Sequence, residues 1–579
     1  MTLRHKTVTA LNFNVLQRGA NQLRAFRRDE SGVMAYPTVA FFLAMLAVGG
    51  LGVDLMRMER DRTILQYTLD RAVLAAADLD QTQTPAVVVQ DYLNKAGLGE
   101  YYTPPIVESG IGFKRVQATI NSTFQAHLMK FSGGTDLPIY ATSKAEESID
   151  GLEISLVLDV SGSMNSNSRL TNLKVAAKDF IDTMVANTTE GKMSISVVPY
   201  ATQVSLPDDL IGQYSIVGEN EYSNCVNFQS SQFNSAALTT SETLKRSMHF
   251  TVWGDYNDKR TRTPPELIRD PICDERASRQ ILPLQKDANT LKAFIQNLSA
   301  GGNTSIDVGM KWGTALLDPS ARPAVQALAT GTNASVPGDF ADRPAAYTDA
   351  DTIKIIVLMT DGQNTSQYYV NNNRRDGPSG VHFSTIVGRD DIRYGTGTAS
   401  LQVYSTYDAY NNRYYWHLPH HAQWADHPIG TGNSQFYDCD RYGNSCRWMS
   451  ENADPQNNPP VVQNLNYSEL FARTSLKYLY RYIFADWMDY YQARNTWYYG
   501  VYSSHGNGTK NSRTRSICSA AKAQGIVVYT IGFEAPSDGV AVLRDCASTD
   551  AHYFDVDGLE IKDAFASIAT SIRQLRLTQ

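Results

Sequence analysis

The chain lacks the signatures on which hydrolases, nucleotide-driven enzymes and zinc proteases are built. It holds no G-x-S-x-G, no G-x-x-x-x-G-K-[ST] loop and no H-E-x-x-H, which removes the nucleophile elbow, the P-loop and the metalloprotease helix as sources of function. Asp159 stands two residues before Ser161, but no histidine is placed to act as base, so a serine hydrolase is not supported. There is no C-x-x-C pair, which speaks against a zinc or dithiol site. A basic run is missing too: 52 Lys and Arg against 59 Asp and Glu give a net charge of -7, and nucleic-acid binders carry a basic stripe instead. What remains, 42% apolar and 19% charged residues over 579 positions, is folded protein too long for one core, with two or three structural units expected.

Charge is absent altogether from "VMAYPTVAFFLAMLAVGGLGV", Val33 to Val53. Such a run is long enough for a helix to cross the ~30 Å hydrocarbon core of a bilayer. Arg4, Lys6, Arg18, Arg24, Arg27 and Arg28 precede it, so the N-terminus is expected in the cytoplasm and everything from about Asp54 onward outside it. The expected divisions are a cytoplasmic basic segment (1–30) and a transmembrane helix (31–56). A cleaved signal peptide would carry a shorter apolar core nearer the N-terminus, although "AVG" at 47–49 offers a cleavage-like tripeptide. Pro37 and Gly49–Gly50 are compatible with a membrane helix.

All six cysteines, Cys225, Cys273, Cys439, Cys446, Cys518 and Cys546, follow this segment. An even number in an oxidising compartment favours disulfides. Fifteen pairings are open to six cysteines; the nearest-neighbour set, Cys225 with Cys273, Cys439 with Cys446 and Cys518 with Cys546, is the one expected.

After the apolar run, "LMRMERDRTILQYTLDRAVLAAADLD" continues with good helix formers. Leu65, Leu69, Ala72, Val73 and Ala76 recur at three- and four-residue steps. One helix over about 33–79 would be roughly 70 Å long, serving as a stalk. Alternation at Val116, Ala118 and Ile120 predicts a strand, and "LPIYATSKAEES" another. Residues 57–150 therefore read as a stalk helix with a small α+β unit.

From Ile154 the texture changes to short apolar runs: "ISLVL" (154–158), "MSISVVPY" (193–200), "IKIIVLM" (353–359), "IVVYTIGF" (526–533) and "HYFDV" (552–556). Strands buried on both faces of a parallel sheet read this way. Helical spacing between them, as in Leu170, Leu173, Ala177, Phe180, Ile181 and Met184, points to a doubly wound, mainly parallel α/β sheet over 151–579. Insertions interrupt it at about 207–280 and 364–515. The second holds His417, His420, His421 and His427 beside Asp426, a possible transition-metal set, but Pro419 breaks the spacing and loop histidines are the preferred reading. It also holds the aromatic runs "RYYW", "YLYRYIFADWMDYY" and "NTWYYGVY", expected to form its core with some rim exposed.

Three segments end their elements on hard oxygen. "LVLDVSGSM" places Asp159, Ser161 and Ser163 past one strand, "LMTDG" places Asp361 past another, and "AGGNTSID" opens a helix with Thr304. Carboxylate and hydroxyl oxygens suit Mg²⁺, Mn²⁺ or Ca²⁺ rather than Zn²⁺. The set D-x-S-x-S, then Thr after a glycine turn, then T-D-G, resembles the metal-ion-dependent adhesion site of von Willebrand factor type A (VWA) domains. The resemblance implies that Asp159, Ser161, Ser163, Thr304 and Asp361 are metal ligands. The segment "RRDESGVMAYPTVAFFLAMLAVGGLGVDLMRMERDRTILQYTLDRAVLAAA", with "LMTDGQN", "CSAAKAQGIVVYTIGF" and "LRDCAS", resembles TadG-like proteins of Tad/Flp pilus assembly.

These resemblances imply a non-catalytic module whose cation, Mg²⁺ or else Mn²⁺ or Ca²⁺, takes a carboxylate from a protein partner, among them other Tad pilus components. The expected setting is a bacterial cell membrane crossed once, with the VWA domain periplasmic or extracellular. An envelope adhesin or scaffold unconnected with pili is the alternative. Self-association through the aromatic insertion is a further one.

Overall fold

The computed structural model describes Arg24, Arg27 and residues 34–575, except 79–80, 111–112, 149–150, 187, 189, 219, 255–267, 350, 391–392, 441 and 455. The basic segment expected at 1–30 lies, apart from those two arginines, outside the described residues. The chain divides into two units, Met1–Ser148 and Ile149–Gln579.

In the first unit the helix-forming sequence runs uninterrupted as α1 (Ala35–Ala77), about 65 Å at 1.5 Å per residue. Pro37 sits in its first turn, where no intrahelical N–H is needed. It is the one helix among the described residues that is long and apolar enough to cross a membrane. The two halves of α1 differ in their surroundings. Tyr36, Phe41, Phe42, Met45, Leu46 and Val48 are exposed, whereas Leu65, Leu69, Ala72, Val73 and Ala76 are buried. The buried stripe packs on α2 (Pro85–Lys95) and on an antiparallel sheet of β1 (Ile106–Gly110), β2 (Phe113–Phe124) and β3 (Leu137–Ser148), in that order. Val116, Ala118 and Ile120 are buried in β2, as their alternation requires, and so is Phe124 at its end.

The second unit is built on a six-stranded sheet. In chain order its strands are β4 (Gly151–Asp159), β5 (Met193–Tyr200), β6 (Leu282–Gln285), β7 (Thr352–Thr360), β8 (Val527–Phe533) and β9 (Tyr553–Val556). Their spatial order is β9-β8-β7-β4-β5-β6. All neighbouring pairs are parallel except β5 with β6. Every residue of β4 and β5 is buried, which is why these strands read as continuous apolar runs.

Helices α3 (Arg169–Ala186), α4 (Ala288–Asn297) and α8 (Ile561–Leu575) form one packed group, with Phe180 edge-on to Phe565 at 5.6 Å. Helices α5 (Ile306–Ala315), α6 (Asn507–Ala523) and α7 (Ser537–Cys546) form another. Two glycines set α5 against the sheet: a Cβ on Gly309 would lie 2.7 Å from the Tyr200 ring, and one on Gly313 2.4 Å from Val157 Cγ2. Disulfides join Cys225 to Cys273, Cys439 to Cys446 and Cys518 to Cys546; the last ties α6 to α7.

Two features depart from expectation. Strand β6 is absent from the apolar-run reading, and α6 begins at Asn507, inside the stretch assigned to the second insertion. That insertion carries a five-stranded antiparallel sheet whose middle strands are Pro378–Arg389 and Thr398–Asp408. Its "YLYRYIF" and "NTWYY" segments are short helical turns, and Phe484 stacks on Trp497 at 3.9 Å. Met248, Phe250, Val252 and Ile272 of the first insertion join Val370, Phe383, Tyr404, Leu479 and Trp497 of the second in a single apolar core.

Candidate metal centre

In open α/β sheets the crevice outside the carboxyl ends of the strands, where strand order reverses, is where ligands are held. Here the reversal falls at β4, which lies between β7 and β5, and both β4 and β7 end in polar residues. Asp159, fully buried, closes β4. Its Oδ1 accepts the Ser161 N–H at 2.7 Å, and its Oδ2 accepts the hydroxyl of Thr360, last residue of β7, at 2.6 Å. The two strand ends are thereby fixed to each other.

The chain then turns through Gly162–Asn165. Ser161 Oγ lies 3.1 Å from Ser163 Oγ, which donates to Asp361 Oδ1 at 2.7 Å. Four of the five residues singled out in the sequence are thus linked by direct contacts. Thr304 arrives on a glycine turn pressed against this loop. Gly162 N–H donates to Gly302 O and Gly301 N–H to Val160 O, each at 2.9 Å. Gly302 has φ +79°, and a Cβ there would meet Thr202 Oγ1 at 2.7 Å, so the turn requires glycine. Thr304 Oγ1 is 3.9 Å from the position of a Cβ on Gly362, the residue after Asp361.

Two cationic side chains brace the loops, and neither is evident in the sequence pattern. Lys510 of α6 is buried and donates to Thr304 O (2.6 Å), Ser305 Oγ (2.6 Å) and Thr365 O (2.7 Å). Arg279 donates to Gly301 O at 2.7 Å and also to Val160 O. At the rim, Arg169 of α3 places Nη1 2.9 Å from Asp361 Oδ2, with Nε and Nη2 each 2.8 Å from Glu534 Oε2. Glu534 follows β8 directly and has φ +54°.

Burial raises the Asp159 carboxyl well above the usual carboxylate range, and the negative charge of Asp361 adds to this. Burial raises Asp361 as well, against the lowering effect of Ser163 and Arg169. Two carboxylates close enough for Asp361 to act on Asp159 repel each other, and a divalent cation between them would relieve that repulsion. Two carboxylates and three hydroxyls are hard-oxygen donors, so the residues present fit Mg²⁺, Mn²⁺ or Ca²⁺.

The histidines of the second insertion go to separate partners. His417 Nε2 contacts Thr406 Oγ1 at 2.9 Å, His427 bridges Asp426 (2.5 Å) and Glu451 (2.8 Å), and His421 packs on Tyr437. Among the described residues His421 approaches only the disulfide-bonded Cys439 and Cys446 as a ligand-like group. Trp416, Tyr404 and Trp497 are core, while Tyr410, Trp448 and Tyr491 are exposed.

Residues 32–79 match the Tad family model, Flp pilus-assembly TadE/G-like. No curated protein matches the chain. Among solved structures, the vWF domain of the type V pili tip protein Mfa5 from Porphyromonas gingivalis is 15% identical with a TM-score of 0.29, over 73% of this chain and 95% of that one. The pilus adhesin RrgA from Streptococcus pneumoniae is 13% identical with a TM-score of 0.26, over 80% of this chain and 47% of that one. Proximal thread matrix protein 1 from the mussel byssus, in a structure with a zinc-occupied MIDAS motif, is 11% identical with a TM-score of 0.24, over 74% of this chain and 46% of that one. The chain therefore spans just under half the length of the last two.

Proposed function

We propose that this is a membrane-anchored, non-catalytic binding protein that makes cation-dependent contacts with another protein during Tad/Flp pilus assembly or surface adhesion. The transmembrane segment is residues 31–56, which takes in the first part of α1, with the N-terminus cytoplasmic and residues 57–579 periplasmic or extracellular. Residues 57–150 are the stalk and small α+β unit, and 151–579 are a doubly wound VWA-type domain with two insertions.

The observation that carries the reading is the meeting of Asp159, Ser161, Ser163 and Asp361 at the carboxyl ends of β4 and β7, with Thr304 beside them. These five residues would hold Mg²⁺, or Mn²⁺ or Ca²⁺. Five protein oxygens leave a six-coordinate ion one open position for a carboxylate presented by the partner, and with only two carboxylates among them the site carries no excess negative charge to repel it. Asp159 and Asp361 supply the compensating charge, Ser161 and Ser163 the neutral oxygens, and Lys510 and Arg279 keep the loops in register. The match of residues 32–79 to the Tad family supports the pilus setting.

Calorimetric titration of the full chain in nanodiscs with Mg²⁺ and with Mn²⁺ tests the site. Saturable heat in the wild type that disappears in Asp159→Ala is expected. No heat from either ion, or equal heat in the variant, overturns it.

A further inference from the structure

Gly50 and Asp54 stand one turn apart on the same face of α1, and both meet the connection between β2 and β3. Asp54 Oδ2 accepts three successive backbone N–H groups: His127 at 3.0 Å, Leu128 at 2.6 Å and Met129 at 2.7 Å. Its side chain is completely buried, with Arg57 3.9 Å away. One turn earlier, a Cβ on Gly50 would lie 3.1 Å from Leu128 Cβ, so the loop comes as close to the helix as glycine permits.

The level of this contact along α1 gives it meaning. Gly50 lies within the charge-free run, three residues before its end at Val53, and Val48, Val53 and Met56 on either side of the clamp are exposed. Leu128 is 41% exposed in this connection, just before the helical turn Met129–Ser132. An apolar side chain is therefore displayed at the height where the apolar half of the helix ends. Backbone N–H groups at such a depth cannot count on water and are costly to leave unpaired in hydrocarbon. Asp54 pairs three of them.

We propose that the 127–130 loop is a foot that rests on the lipid bilayer, with Leu128 in the boundary between headgroups and acyl chains and Asp54 clamping the loop at that depth. The occupant of this surface is lipid, because Leu128 meets α1 at Gly50, inside the charge-free run whose exposed apolar side chains require the same surroundings. The inference rests on the anchor reading of α1. A single helix leaves a stalk free to turn and tilt; a second point of contact beside it fixes which side of the first unit faces the membrane.

All six native cysteines are in disulfides, so one introduced cysteine gives a unique thiol on the full chain. Leu128→Cys, Met45→Cys and Val87→Cys, each labelled with an environment-sensitive fluorophore, would be reconstituted in phosphatidylcholine–phosphatidylglycerol nanodiscs with nitroxide-labelled lipids. Expected are strong quenching of the 45 label by deep nitroxides, several-fold quenching of the 128 label by shallow ones, and little at 87. A 128 label as unquenched as the 87 label, with the 45 label quenched, overturns the foot and leaves the anchor standing. An unquenched 45 label overturns the anchor reading and the foot with it. In Asp54→Ala the 128 quenching should fall toward the level at 87; undiminished quenching overturns the clamp.

Discussion

Arg169 and Asp361 form a 2.9 Å ion pair at the rim of the candidate metal centre, and the same guanidinium holds Glu534 on its other side. The segments following β7 and β8 are thus joined through one side chain of α3. A fixed positive charge this near a divalent cation opposes it, while in the metal-free chain it offsets Asp361.

Replacement of that charge should therefore have opposite effects on the two forms. In Arg169→Met, Mg²⁺ is expected to bind about 5- to 10-fold more tightly, the ~1 kcal/mol scale of one partly screened like charge a few ångströms away. The metal-free protein should melt at a lower temperature than wild type. Calorimetry and thermal unfolding read the two effects; unchanged or weaker Mg²⁺ binding would contradict the assigned role of the arginine.

Metal removal should show as lost stability. With free Mg²⁺ at about 100 times Kd, binding to the folded state alone adds about 2.7 kcal/mol. Chelation is expected to lower the unfolding temperature of the second unit in the wild type and leave it unaltered in Asp159→Ala. A chelator-insensitive wild type would speak against a resident cation.

Gly313 probes how α5 positions Thr304. A Cβ there would lie 2.4 Å from Val157 Cγ2 and 3.1 Å from Ser155 Oγ, so α5 must move away from β4 to accept it. Gly313→Ala should cost about 1–3 kcal/mol and weaken Mg²⁺ binding, because Thr304 lies two residues before the start of α5. Chemical denaturation compared with Gly508→Ala, where a Cβ meets nothing within 4 Å, separates packing from helix propensity.

Glu275 should make the first insertion sensitive to pH. Burial raises its carboxyl from 4.5 to about 7, an effect that Asp208 and Asp274 increase and that the Asn224 N–H and Arg246 oppose; His249 lies 3.8 Å away. Between those values the folded chain keeps a proton that the unfolded chain releases, so stability is greatest below pH 4.5 and falls as pH rises to 7. The loss is on the order of 2 kcal/mol relative to Glu275→Gln, which has no proton to release there. Denaturation at pH 4.5 and 7.5 measures it; parallel profiles for the two proteins would rule it out.

Much of this architecture is visible in the sequence because burial on both faces leaves β4, β5, β7 and β8 mostly apolar, apart from the buried Glu153–Lys354 pair and a few hydroxyls such as Ser155 and Thr530. The stripe from Leu65 to Ala76 was equally readable, being one face of a helix. Strand β6 was not: "LPLQ" is four residues with a proline, at an edge. Helix α6 is hidden in the sequence for a different reason. Its buried residues include Lys510, Arg513 and Thr514, so no apolar stripe marks its first turns, which read as a continuation of the insertion before it. Asp159, Ser161, Ser163 and Asp361 announce themselves through local spacing. Arg169, Glu534, Lys510 and Asp54 do not, since each acts on partners that lie far away in the chain and are brought close only by folding.

The apolar core shared by the two insertions bears on how the molecule can be cut down. Excising 370–510 alone would strip the cover from Met248, Phe250, Val252 and Ile272, turning a tidy deletion into an aggregation-prone fragment. A minimal soluble version of the second unit must keep both insertions, because the first also packs Tyr214 and Phe228 on Trp312 of α5, and surface mapping should treat the two as one epitope.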